Sequence, residues 1–132
     1  MRKLRKNQLE KILKRDFEIS IHEHQILVDK INNPKNLKNI NRISNMIANS
    51  LKKGGTTFWC GNGGSASDSQ HLSAELLGRL KKNRRPLRSI SLSSNISAIT
   101  CISNDFGYDK IFSRQIEGLA KKNDIVACIS TS

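Results

Sequence analysis

The sequence predicts an α/β fold: a parallel three-stranded sheet flanked by helices, with a helical pair in front of it. Three observations carry this. Residues 56–60 are β-branched, aromatic or small and uncharged, and they run into a glycine-rich turn and then a helix. From there to residue 129 strand-like and helix-like segments alternate as βαβαβ, an order that folds into parallel strands joined by helical crossovers. The first 53 residues, by contrast, hold two segments with helical apolar spacing and no strand pattern.

Taken in order, residues 1–31 carry an apolar stripe at Leu9, Ile12, Leu13 and Phe17, continued by Ile21, Leu27, Val28 and Ile31. His22 and His24 are two apart, so a helix points them to different sides, as surface histidines rather than metal ligands. Asn32-Asn33-Pro34 ends this helix. A second runs over about 36–53 with Ile40, Ile43, Ile47 and Leu51 on one face, and Gly54-Gly55 stops it. Strand one is 56–60, and the helix after the glycines continues through Leu76, Leu77 and Leu80. A basic connection over 81–85 ends at Pro86. Residues 87–93 alternate apolar and polar as a second strand. Residues 95–103 form a short helix capped by Asn95, 104–108 a loop, 111–120 another helix, and 124–129 the third strand. The chain thus divides into a helical pair, 1–53, and an α/β part, 54–132. The pair must bury its stripes on the sheet or on another subunit, and so short a chain favours the second.

The charge is +12, from 23 Lys and Arg against 11 Asp and Glu; residues 1–53 hold +8 and residues 54–132 hold +4. Such an excess raises the question of nucleic acid. The basic residues are scattered among Asn and Ile, without aromatic interleaving or zinc-finger spacing, which favours solvated helix faces. Three widely spaced cysteines, Cys60, Cys101 and Cys128, each sit in an apolar run, as buried reduced thiols do. No N-terminal run resembles a signal peptide and no segment has the length of a membrane span, so the expected location is the cytoplasm, without membrane contact.

The chemistry concentrates after the first strand. Gly61, Gly63 and Gly64 let the backbone approach a ligand, and Ser65 reads as the N-cap of a helix whose free N–H groups suit an anion. The match to a dinucleotide fingerprint is formal only. Ser93 and Ser94 stand where a ribose-binding carboxylate belongs, and no Gly-Lys-Ser/Thr makes a Walker loop. What remains is a set of hydroxyls, Ser65, Ser67, Ser130, Thr131 and Ser132, at the carboxyl ends of two strands. They suit a dianionic sugar phosphate. His71 and Glu75 lie four apart on one helix. Such a pair can hold a divalent metal, supply a base beside an imidazole, or be an ordinary surface pair, and the spacing is compatible with all three.

Cys60-Gly-Asn-Gly-Gly-Ser-Ala66, Gln70-His-Leu-Ser-Ala-Glu75, Asn104-Asp-Phe-Gly107, Ile111-Phe-Ser-Arg114 and Ile129-Ser-Thr-Ser132 resemble the phosphoheptose isomerases of the sugar isomerase (SIS) domain family. The resemblance is strong from Gly54 onward and weak over the first helix. It implies the front half of an SIS-type parallel sheet. It also implies a cytoplasmic homotetramer converting sedoheptulose 7-phosphate to D-glycero-D-manno-heptose 7-phosphate, on the way to the ADP-heptose of lipopolysaccharide. By motif position Asn62, Gly63 and Gly64 contact substrate, and Ser65 holds its phosphate together with Ser130, Thr131 and Ser132. Asn104 and Asp105 hold sugar hydroxyls. Glu75 is the catalytic carboxylate, a substrate contact and, with His71, a zinc ligand. The family pattern continues beyond Ser132 with a glutamine and a histidine that complete the metal site, so activity of these residues alone is expected to be impaired. Two other readings stay open: a non-catalytic SIS protein of the type that associates with the replication initiator, and a sugar-phosphate sensor. Glu75 favours the isomerase over the first, and the absence of a DNA-binding motif in these residues disfavours the second.

Overall fold

The structure is a computed structural model that describes residues 6–79 and 81–131. Leu80, Ser132 and the first five residues of the expected first helix lie outside the described residues. Contacts divide the chain into two compact units that meet inside a helix, at Ile43 and Ser44, whereas the division at 53/54 follows the shift in composition.

The first unit holds α1 (Lys6–Ile31) and the opening turns of α2 (Pro34–Lys52). Pro34 does not merely end α1. Its fixed φ and missing N–H suit the first position of a helix, so α2 starts two residues before the expected Asn36. Asn33 Oδ1 accepts the Asn36 N–H at 3.0 Å, and Asn36 Nδ2 donates to the Lys30 carbonyl at 2.9 Å, which ties the two helix ends together. The expected stripes are exposed in this chain, with Leu13 at 60% and Phe17 at 69%.

The second unit begins with the last turns of α2, which stop where the glycines stand. Gly54, at φ 80°, donates to the Leu51 carbonyl and Gly55 to the Ser50 carbonyl, a Schellman motif. The sheet is parallel, in the order β2-β1-β3. Its strands are shorter than the sequence suggests: β1 is Thr57–Cys60, β2 Ser89–Ser91 and β3 Ile125–Cys128. Asp124 fixes the start of two strands, accepting from the Thr56 N–H and from the Lys121 N–H, each at 2.7 Å. Phe58, Cys60 and Leu92 form the core, with Phe112, Ile116 and Ala120 packed against it. In β2 the polar half of the alternation is the buried half, Ser89 and Ser91 facing inward while Ile90 is exposed. Only Cys60 fits the expectation of buried thiols. Cys101 lies on an exposed helix face and Cys128 on a strand with one described neighbour, and both are exposed.

Helix α3 (Gly64–Leu77) follows β1, and α4 (Ile96–Phe106) follows β2. Asn95 caps α4 as expected, its side chain accepting the Ala98 N–H at 3.0 Å. The loop expected at 104–108 is mostly helix. Gly107, at φ 95°, is where the helix stops, so α4 runs on through Asn104, Asp105 and Phe106. A 3₁₀ turn over Tyr108–Lys110 leads to α5 (Ser113–Leu119), where Arg114 sits 3.6 Å over the Phe106 ring. Asn95→Ala is expected to destabilise this unit by about 1 kcal/mol through the lost cap, measured by urea denaturation. No helix among the described residues is long and apolar enough to cross a membrane.

Candidate functional site

β1 delivers the chain into a loop that folds tightly onto α3. A Cβ on Gly61 would stand 2.7 Å from the Ser65 carbonyl oxygen, so no other residue fits there without displacing the helix. Gly63, at φ 56°, turns the chain, and α3 begins at Gly64. Ser65 is therefore not the cap. Gly63 holds that position without any side-chain capping bond, and Ser65 lies inside the first turn with its N–H on the Asn62 carbonyl at 3.0 Å. Its buried side chain lines a cavity of about 270 Å³ together with Asn62, Ser130 and Thr131. The two strand ends expected to form a phosphate site thus meet at one cavity. Gly63 and Gly64 face open space beside it, leaving the backbone approachable, whereas Ser67 is exposed and does not line it.

The loop is held by buried hydroxyls that sequence reasoning missed. Ser93 Oγ donates to the Gly61 carbonyl at 2.8 Å, and the Gly61 N–H reaches the same oxygen at 3.3 Å. Ser69 on α3 and Ser91 on β2 pair through their hydroxyls at 2.7 Å, and the Ser69 hydroxyl also lies 2.8 Å from the Ala66 carbonyl. Each such bond contributes about 0.5–1.5 kcal/mol net. Tyr108 adds a tether, its hydroxyl donating to Asn62 Oδ1 at 2.9 Å. The signal for the serines was in the alternation of 87–93, which gives no hint of which half faces inward.

Further along α3, His71 Nε2 lies 3.7 Å from Glu75 Oε1. The histidine side chain is 74% exposed and that of the glutamate 32%. Glu75 borders a second cavity of about 550 Å³ with apolar walls from Trp59, Leu72, Leu76 and Leu87. Arg84, read from sequence as part of a basic connection, folds back to cap α3. Its guanidinium donates to the Glu75 and Leu76 carbonyls, both at 2.8 Å, so the end of the helix that carries Glu75 is fastened. Two ligands of one tetrahedral zinc, bound at 2.0–2.2 Å, stand about 3.4 Å apart. The 3.7 Å separation of His71 and Glu75 fits half of such a shell. Among the described residues no group of three or more His, Cys, Asp or Glu gathers to complete it.

Asn104 and Asp105 are exposed in the last turn of α4 and line neither cavity. Asp105 accepts from Asn104 Nδ2 at 2.9 Å and from the Cys101 thiol at 3.5 Å, a contact that raises the thiol pKa.

A parallel sheet with a glycine loop and hydroxyls at its carboxyl edge defines the class, and the comparison with known families agrees. The SIS-domain model matches residues 21–132, and the chain belongs to that family. Its relatives include the phosphoheptose isomerase of Campylobacter concisus, 53% identical over 87 residues, covering 66% of this chain and 46% of that protein. That of Geotalea daltonii is 44% identical over 117 residues, covering 89% and 60%. Among solved structures, phosphoheptose isomerase from Neisseria gonorrhoeae superposes with a TM-score of 0.77 at 31% identity, covering 94% of this chain and 61% of that one. The Francisella tularensis enzyme gives 0.79 at 32%, covering 95% and 62%. The chain spans about half the length of the curated relatives it matches.

Proposed function

We propose that these residues belong to a ketose–aldose isomerase acting on sedoheptulose 7-phosphate, a phosphoheptose isomerase that supplies D-glycero-D-manno-heptose 7-phosphate for ADP-heptose and lipopolysaccharide. The observation that carries the reading is that one helix, α3, bears at its start a cavity of about 270 Å³ lined in part by hydroxyls and a half-buried carboxylate near its end. The hydroxyls of Ser65, Ser130, Thr131 and Ser132 receive the phosphate, beside the dipole of α3 and the open backbone at Gly63 and Gly64. Asn62, oriented by Tyr108, takes a sugar hydroxyl. Asn104 and Asp105 reach the sugar only with substrate bound, since they line neither of the two cavities described above. Glu75 removes a proton from C1 and returns it to C2, so that a ketose becomes an aldose through an enediol. A zinc ion held by His71 and Glu75, with further ligands from outside these residues, would polarise the carbonyl oxygen. The assembly is a cytoplasmic homotetramer; its oligomeric part is supported by the exposed apolar stripe of α1 and by the exposed Ile40 and Ile43 of α2.

The test is calorimetry of sedoheptulose 7-phosphate binding to the chain continued by the C-terminal half of the Campylobacter concisus relative. Binding is expected, and Ser65→Phe, which fills the polar cavity, is expected to weaken it at least about 10-fold, the equivalent of 1.4 kcal/mol. An unchanged affinity would displace the phosphate from this cavity.

A further inference from the structure

We propose that Cys60 and Cys128 are a modification site, a dithiol that peroxide converts reversibly into a disulfide across β1 and β3. The two residues are register partners on adjacent parallel strands. Their sulfurs lie 3.4 Å apart, the Cys60 thiol donating to Cys128. Neighbouring strands run about 4.7–4.9 Å apart, inside the Cα separation of 4.4–6.8 Å that disulfides span. The sulfurs therefore need close only from 3.4 Å to about 2.05 Å, a shift that side-chain rotation supplies. Register places the pair and the fold aims it, although 68 positions separate the two in sequence.

The surroundings give the two sulfurs different roles. Among these residues Cys128 is exposed, and in the 132-residue chain peroxide reaches it. Cys60 is buried, and burial first, with the bond to Cys128 second, pushes its thiol up to about 12. A raised pKa slows a thiol's attack, so what fits Cys60 to resolve a sulfenic acid on Cys128 is its position, with the sulfurs 3.4 Å apart. The Cys128 thiolate attacks one oxygen of hydrogen peroxide and breaks the O–O bond, giving a sulfenic acid; the hydroxide released takes up a proton to become water. Cys60 sulfur then attacks the Cys128 sulfur, the S–O bond breaks, and the departing hydroxide takes the Cys60 proton as a second water. Two thiols lose two electrons in all, and peroxide gains them. Cys101 is the internal control: exposed, on α4, bonded to Asp105 rather than to another thiol.

Both cysteines also line the cavity that Ser65 and Thr131 share. Drawing them together reshapes its floor, so oxidation is expected to weaken sugar-phosphate binding. This consequence rests on the phosphate reading above, whereas the disulfide itself does not.

The experiment treats the reduced 132-residue chain with equimolar hydrogen peroxide, then alkylates it under denaturing conditions and maps the peptides. The expected product joins the Cys60 and Cys128 peptides with loss of two hydrogens, leaves Cys101 alkylated and is reversed by dithiothreitol. Cys101→Ser keeps the link and Cys128→Ser abolishes it. Unfolding in guanidinium slows its formation at least about 10-fold, because the fold no longer closes the loop. Cys101-linked dimers as the main product, or over-oxidised Cys128 beside fully alkylated Cys60, would overturn the proposal. In the C-terminally extended form, a mapped link with unchanged sedoheptulose 7-phosphate affinity would overturn only the coupling to the cavity. Failure of the reduced extended form to bind that sugar would instead overturn the phosphate reading.

Discussion

Given sedoheptulose 7-phosphate and zinc, residues 1–132 alone should isomerise it at least about 10²-fold more slowly than the same residues continued by the C-terminal half of a phosphoheptose isomerase relative. Moving a proton between adjacent carbons takes a base at the carbon and either an acid or a metal at the carbonyl oxygen. Each positioned acid or base supplies about 10²–10⁴-fold. On the proposed reading these residues supply Glu75 as base and, with His71, two ligands of a metal shell, and among the described residues no group of three or more His, Cys, Asp or Glu completes it. Of the three histidines, His22 and His24 belong to α1 in the other compact unit, and His24 Nδ1 pairs with the Ser20 carbonyl of its own helix at 2.8 Å. Purified protein of both lengths, assayed for the aldose product, decides the matter. Comparable turnover would show that Glu75 and His71 suffice, and the division of roles would fall.

What the sequence made legible follows from how each feature is encoded. The parallel sheet was readable because 56–60 and the stretch after Asp124, 125–129, are short uncharged runs set between helical patterns, a composition that suits strands, although β3 is half exposed here. The helix ends at Gly54 and Asn95 were readable because positive φ and side-chain capping are local requirements. Ser65 was misread as the cap because Ser outranks Gly at that position on propensity, yet the turn needed positive φ at residue 63. The extension of α4 through Asp105 was missed for a related reason: Asn and Asp mark turns statistically, but the chain had no need to turn before Gly107. Arg84 and the pairing of Ser69 with Ser91 were invisible because their partners come from other elements. The cavity joining Ser65 to Thr131 was half legible. Parallel topology puts both at carboxyl ends of strands, and the order β2-β1-β3 makes those strands neighbours.

In the extended form, Glu75→Gln should lower kcat by about 10²–10⁴-fold while leaving KM within a few-fold. The amide has nearly the shape of the carboxylate, so the apolar walls of Trp59, Leu72 and Leu87 stay filled and the fold is unaffected. The capping bonds from Arg84 go to main-chain carbonyls, so α3 keeps its end as well. What the substitution removes is a group able to accept a proton from C1, and among the described residues no other carboxylate lines this cavity. A KM-only effect would mean that Glu75 binds substrate without moving a proton. Loss of zinc must be told apart from loss of the base, since the proposed function gives Glu75 both roles. His71→Ala provides the comparison: it removes a ligand and keeps the carboxylate. If metal loss is the whole cause, the two variants fall together and excess zinc restores both. If Glu75 is the base, excess zinc restores activity to His71→Ala and leaves Glu75→Gln inactive. Recovery of Glu75→Gln to wild-type kcat in zinc would remove Glu75 from the proton transfer.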